Sequence, residues 1–304
     1  MTSASIANRS AAAPKDSRRP RTGNEVAIVI PCFRQAHLLP DAVASAVNQT
    51  WPELHIVIVD DGSPDDTAAV AERLIAQHPA RRITLVRQCN QGLFAARNAG
   101  VAASTSPFVL PLDADDALAP DAVERLLAAL LAGAGDVATP GGVTFGDEVR
   151  PLRTRPVTRA RLCANNCLVY ASLFRRELFD RIGGYRPLGP GYEDWDFWLG
   201  ALERGARFVH VDAPLFRYRK HGPTMLASAD GKALRLHAEI VTRHPDLYPG
   251  WRLRLARRFL AAGGSPGRWA RAGMLLTLLL DRRLRLFCRH AISRRATNRL
   301  STQR

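Results

Sequence analysis

Three carboxylates fall within four residues at Asp113-Ala114-Asp115-Asp116, directly after the apolar run Phe108 to Leu112. Crowded carboxylates repel one another unless a cation sits among them. Hard oxygen ligands at few positions suit Mg²⁺ or Mn²⁺, which keep waters and bind substrate phosphates. The same pattern serves a solvated turn with Asp as a helix cap. A second acidic group, Asp60-Asp61-Gly62-Ser63, also closes an apolar run, and a third, Glu193-Asp194-Trp195-Asp196, follows the Gly- and Pro-rich stretch 187–191. The third group fits an acidic first turn of a helix. Tyr218-Arg219-Lys220-His221 adds cations and a lone His, which sequence alone leaves as structural or solvated.

The elements that must position these groups follow from the apolar pattern. Val26 to Ile30 is continuously apolar and reads as a strand buried on both faces. Further strands are expected at 56–59, 83–86 and 108–112. Helices are expected from Leu38, over 67–76 and 93–103, and after Pro120, which suits position N1. Ser63 and Asp66 make a capping-box pattern ahead of the second helix. Strand-helix alternation over 26–131 means βαβ units and a mostly parallel sheet, whose ligands bind at the carboxyl ends of the strands. Asp61 and Asp113 to Asp116 therefore gather on one edge. Beyond, the pattern predicts a strand near 143–145, a helix from Ser172 to Ile182 stopped at Gly183-Gly184, and a helix start at Tyr192 to Trp198. A strand at 208–211 and an extended segment at 216–221 complete this part. Trp195 and Trp198 fit a sugar platform or plain core, core being the simpler reading for Trp198.

Charge separates the ends from the body. The chain of 304 residues carries +15, but residues 250–304 alone hold 14 Arg and one acid, and residues 1–24 hold +4. The body between is near neutral, which argues against a nucleic-acid groove and so against a binding protein as the rival class. Arg-rich helices are expected after residue 226. Their Trp, Leu and Phe suit an anionic membrane surface, with a solvated face or nonspecific nucleic-acid binding as alternatives. Five scattered Cys without a Cys-x-x-Cys pair point to reduced thiols rather than zinc or a disulfide scaffold. The longest apolar run, Ala272 to Leu280, is far short of the roughly 20 residues of a span. Residues 1–24 read as a disordered basic leader without a signal-peptide core, which sets the expectation of a cytoplasmic protein, peripheral on the inner membrane.

Five motifs in order carry a resemblance. They are Val29-Ile30-Pro31-Cys32-Phe33, Val59 to Ser63, Asn90-x-Gly92 with Ala96 to Gly100, Pro111 to Asp116 with Pro120-Asp121, and Tyr192 to Asp196. Over residues 25–225 the chain resembles the family 2 glycosyltransferases. The resemblance implies the α/β fold called GT-A, a Rossmann-like, mostly parallel sheet flanked by helices, here with a basic helical extension over 226–304. It implies a nucleotide-binding half, 25–131, and an acceptor half, 132–225. It further implies inverting, metal-assisted transfer from a nucleotide-diphosphate sugar, UDP-linked first, to a hydroxyl of a glycan or lipid-linked glycan in cell-surface polysaccharide synthesis.

On that resemblance Pro31, Cys32 and Phe33 lie under the nucleotide, Asp61 accepts from the base, and Gly92, Arg97 and Asn98 form the adjoining wall. Arg97 is equally well read as a structural ion-pair partner. Asp113 bonds the ribose and can share the metal, Mn²⁺ or Mg²⁺, with Asp115, and His221 can join them. Asp194 is the base, with Glu193 and Asp196 as alternatives. A polyprenyl-phosphate sugar transferase of the same fold is the rival enzyme, and no specific nucleic-acid partner is expected.

Overall fold

The computed structural model describes residues 23–152, 154–188, 191–220 and 233–262. The expectations for residues 1–22, for His221 and for the chain beyond residue 262 lie outside them.

Four strands, β1 (Val26–Cys32), β2 (Leu54–Asp60), β3 (Arg82–Arg87) and β4 (Phe108–Pro111), pair in parallel in the order β3-β2-β1-β4. Every residue of β1 and β2 is buried, as their unbroken apolar runs require. Side chains alternate between faces. Val26, Ile28 and Ile30 join one core with α1 (Leu39–Val47), α2 (Thr67–Gln77) and α4 (Ala122–Ala132). Val29, Val57 and Val59 join the other, with α3 (Leu93–Ala102), α6 (Arg176–Ile182) and α7 (Glu193–Glu203). The protein is thus a three-layer α/β/α sandwich, the GT-A type of sheet.

Past β4 the sheet turns mixed. Its order continues β4-β8-β6-β9-β5, with β8 (Leu173–Arg175) antiparallel to β4 and β6 (Val137–Gly146), and β9 (Phe208–Lys220) parallel to β6. The two-residue strands β5 (Ala117–Leu118) and β7 (Pro151–Leu152) edge β9 and β6. The extended segments expected at 208–211 and 216–221 are thus one long strand within the described residues. The helix expected from Ser172 begins only at Arg176, because Leu173 to Arg175 are drawn into the sheet. Gly183 ends that helix in the left-handed conformation, as expected.

Two local expectations are corrected. The Ser63–Asp66 capping box is not made: Asp65 instead accepts from Thr67 N and Thr67 Oγ1, while Ser63 Oγ accepts from Arg34 N. Pro120 precedes the N-cap residue Asp121 rather than occupying N1. Four helices frame the site. Helix α3 lies so close on β1 and β2 that a Cβ on Gly100 would stand 2.2 Å from Val29 Cγ1. A short helix α5 (Arg159–Ala164) leads into the irregular stretch 165–172. Helices α8 (Ala233–Arg243) and α9 (Gly250–Ala261) pack Leu236, Ile240, Ala256 and Phe259 into the second core.

Candidate active site

The expected edge exists. Cys32, Asp61 and Leu112 to Asp116 all lie at the carboxyl ends of β1, β2 and β4, and the starts of α3 and α7 converge there. On the β2 side, Asp61 is buried and accepts from Gln88 Nε2 at 2.7 Å and from Gln91 N and Gly92 N at 2.9 Å each. It therefore pins the loop that opens α3. Gly92, with φ +88°, is the residue capping that helix, and it makes the turn that side chains resist. Pro31 and Cys32 are buried at the end of β1, where burial pushes the Cys32 thiol up to about 11. Phe33 is exposed at the rim under the Arg34 guanidinium, 5.2 Å from its ring.

The buried Arg97 organises the centre. Its guanidinium donates to Asp113 at 2.9 Å and to Glu193 at 3.3 Å, and it lies over the rings of Tyr170 and Tyr185. A single buried cation thus ties β4 to the start of α7. Asn98 is spent on the backbone of Tyr185, giving one hydrogen bond to its carbonyl and taking one from its N–H, both 2.8 Å.

The three acids of 113–116 have different surroundings. Asp116 is buried and accepts from Tyr170 Oη at 2.5 Å and Arg219 N at 2.8 Å. Tyr170 Oη in turn accepts from Asp113 N at 3.0 Å, so one hydroxyl spans the turn. Arg219 also donates to the Asp115 carbonyl and pairs with Asp41 at 2.6 Å, so it helps to hold this loop. Asp113 and Asp115 are half-buried in the cleft. Burial pushes the Asp113 carboxyl up to about 6 against the pull of Arg97, with Asp115 adding to the rise.

Tyr170→Phe is expected to leave a buried N–H and a carboxylate oxygen short of a partner. The cost should be on the order of 2 kcal/mol in urea unfolding, with a loss of activity as the 113–116 turn loosens. Unchanged stability would show that this hydroxyl is not the turn's tie.

Helix α7 separates its own acids. Glu193 is buried on Arg97. Asp196 is enclosed by Arg186, two bonds of 2.8 Å, and by His244 at 3.2 Å; despite burial, these donors hold its carboxyl below the usual range. Asp194 is half-buried, and its bonds come from neutral donors, Asn166 Nδ2 and Trp195 N, both at 2.7 Å. Burial first, and the neighbouring Glu193 second, push its carboxyl up to about 7. A carboxyl tuned to that range is suited to taking a proton near neutral pH.

Trp195 and Trp198 are both core residues, 4% and 0% exposed, so neither offers a face to a sugar. The irregular segment 165–172 supplies Asn166 and Tyr170. Neither residue was singled out from sequence, since no periodicity or local motif marks them.

Comparisons with known proteins bear on the family and the fold. A family model described as glycosyl transferase family 2 matches residues 27–187. A "PGL/p-HBAD biosynthesis glycosyltransferase" of Mycobacterium bovis is 31% identical over 194 residues, 60% of this chain and 73% of that protein. A chondroitin synthase of Escherichia coli is 28% identical over 207 residues, but the match covers 65% of this chain and only 29% of that protein. Among solved structures, Staphylococcus aureus TarS 1–349 in complex with UDP-GlcNAc superposes with a TM-score of 0.61 at 19% identity, over 72% of this chain and 66% of that one. A mannosyltransferase from Pyrobaculum calidifontis in complex with GDP-Man and Mn²⁺ gives 0.58 at 20%, over 84% and 80%. At these identities the solved structures speak for the fold.

Proposed function

The chain belongs to glycosyl transferase family 2, and from that premise we propose that it moves one sugar from a nucleoside-diphosphate sugar to an acceptor hydroxyl, with inversion. The observation that carries this reading is the placement of a carboxyl raised to about 7, Asp194, across Arg97 and Glu193 from the half-buried Asp113 and Asp115.

The nucleotide would lie along the ends of β1 and β2, over Pro31 and Cys32, with Phe33 at the rim. Asp61 would present its one remaining lone pair, on Oδ2, to the base, and Gly92 would admit the nucleotide close to the backbone. Arg97 and Asn98 would act by fixing that wall from behind. Asp113 would meet the ribose. Asp194 would take the acceptor hydroxyl's proton as its oxygen attacks the anomeric carbon and the nucleoside diphosphate departs. The acceptor is a glycan or lipid-linked glycan, the setting cell-surface polysaccharide synthesis.

Asp115, with Asp113 beside it, fits Mg²⁺ or Mn²⁺. Among the described residues no three His, Cys, Asp or Glu side chains are grouped to hold a metal unaided. A cation that shares its shell with waters and a diphosphate needs only one or two carboxylates, and positive charge there would offset both the burial of Asp113 and its repulsion from Asp115. When bound, such a cation supplies countercharge for the departing diphosphate. His221, proposed as a further ligand, lies outside the described residues.

Thermal unfolding with UDP, GDP, dTDP and CDP, each with and without Mn²⁺, tests the donor site. A nucleotide at about 100 times its dissociation constant adds about 2.7 kcal/mol, or several degrees. One nucleotide should stabilise the chain only with Mn²⁺, and Asp115→Ala should abolish the shift. No shift with any nucleotide would overturn the placement of the donor.

A further inference from the structure

Helix α9 buries Ala256 and Phe259 in the core and turns a very different face outward. Trp251 is 48% exposed on that face, and Arg254, Arg257 and Arg258 are exposed with it. The helix contains four Arg and no acid. Arg252 lies 5.8 Å from the Trp251 ring and 5.6 Å from that of Tyr248, which concentrates cationic charge around the indole. On this helix an exposed tryptophan stands among arginines. It matches the boundary of an anionic bilayer, where the indole sits among headgroups and the guanidinium groups meet phosphates.

We propose that this face of α9 docks on an anionic lipid surface. The sequence beyond the helix continues the same chemistry: residues 263–304 add ten Arg against the single acid Asp281, with Trp269, Leu275, Leu276, Leu284, Leu286 and Phe287 among them. Nucleic acid is disfavoured because the positive charge is confined to the chain's ends while the body is near neutral, and because a phosphate groove has no use for a protruding indole.

The docking face is fastened to the acceptor side of the site. Tyr248 Oη, two residues before α9, donates to the Cys163 carbonyl at 3.0 Å, and Arg159 Nη2 donates to the Asp246 carbonyl at 2.9 Å. Both contacts fall on α5, which leads directly to Asn166 and thus to Asp194. Resting on the transfer reading above, this placement selects the acceptor class: a hydroxyl carried on a lipid anchor, presented at the membrane to which α9 holds the enzyme.

The test is co-sedimentation of the full chain with vesicles of phosphatidylcholine alone or mixed with phosphatidylglycerol, over a salt series. Binding should require phosphatidylglycerol and weaken as salt rises. Each arginine removed should weaken it about fivefold, so Arg254→Gln with Arg257→Gln and Arg258→Gln should lose on the order of a hundredfold. Trp251→Ala should weaken vesicle binding while leaving any duplex DNA binding unchanged. Circular dichroism confirms that the variants fold. No binding to phosphatidylglycerol, undiminished binding by the triple variant, or tighter binding to DNA than to vesicles would each overturn the proposal. Nucleotide-sugar hydrolysis in the same samples, with water taking the sugar, keeps the two readings apart. Docking without turnover contradicts sugar transfer and spares the surface, and turnover without docking does the reverse.

Discussion

Asp194→Asn is expected to lower kcat by 10² to 10⁴, the ordinary contribution of a positioned general base. The amide keeps the shape and an oxygen for one of the two donors, Asn166 Nδ2 and Trp195 N, so the loss reports chiefly the missing proton acceptor. In the native enzyme kcat/KM should rise with pH through about 7 and then level, because the carboxyl must be ionised to act. The variant should lose that rising limb. Its stability should move the opposite way. A carboxyl raised above its ordinary 3.8 favours the fold while protonated; that contribution is present below pH 3.8 and lost as pH climbs through about 7. The asparagine suffers no such loss, so its melting temperature should gain on the native protein between pH 4 and 7 and hold the advantage above. A kcat within tenfold of native would instead favour the polyprenyl-phosphate transferase, whose acceptor needs no base.

Arg97→Met should be the most damaging single change to the fold of the site. The arginine is 2% exposed and bridges Asp113 and Glu193; without it two carboxylates remain in the protein with no cation between them. Breaking a buried pair by removing one partner costs about 3–5 kcal/mol. In a chain of this size that is a fall of roughly 10 °C in Tm. Arg97→Lys should recover only part of it, because an ammonium lacks the planar fork that reaches two carboxylates at once. In the lysine variant, weaker compensation of Asp194 should also displace the activity profile to higher pH. A loss under 1 kcal/mol in Arg97→Met would mean that Asp113 and Glu193 find other partners.

Much of this was legible in the sequence where the signal is local. The unbroken runs of β1 and β2 could only be buried strands, and the acids that close β2 and β4 had to share an edge. Val123, Leu126, Leu127 and Leu130 of α4 are buried as their spacing required. Strand β8 was not legible, because three residues carry no period and only pairing with Val109 and Ala138 makes them a strand. The roles within each acidic cluster were hidden for a related reason. Asp113, Asp115 and Asp116 are one residue type in one turn, and only Tyr170 and Arg219, 54 and 103 residues beyond Asp116, distinguish them.

Helix geometry alone could have resolved one ambiguity. Asp194 and Asp196 are two residues apart, about 200° around the axis, so they could not face the same cleft. The three-residue spacing of Trp195 and Trp198 places both on one side, and that side is core.

The most direct test of the transfer reading is release of nucleoside diphosphate from a panel of UDP-, GDP-, dTDP- and CDP-sugars, with water and lipid-linked glycans supplied to take the sugar, by native enzyme, Asp194→Asn and Asp115→Ala in parallel. One sugar nucleotide should be turned over by the native chain, in the presence of Mn²⁺ or Mg²⁺, and both variants should fall at least a hundredfold below it. Equal release by all three proteins, or none from any donor, would contradict the assignment of this cleft to sugar transfer.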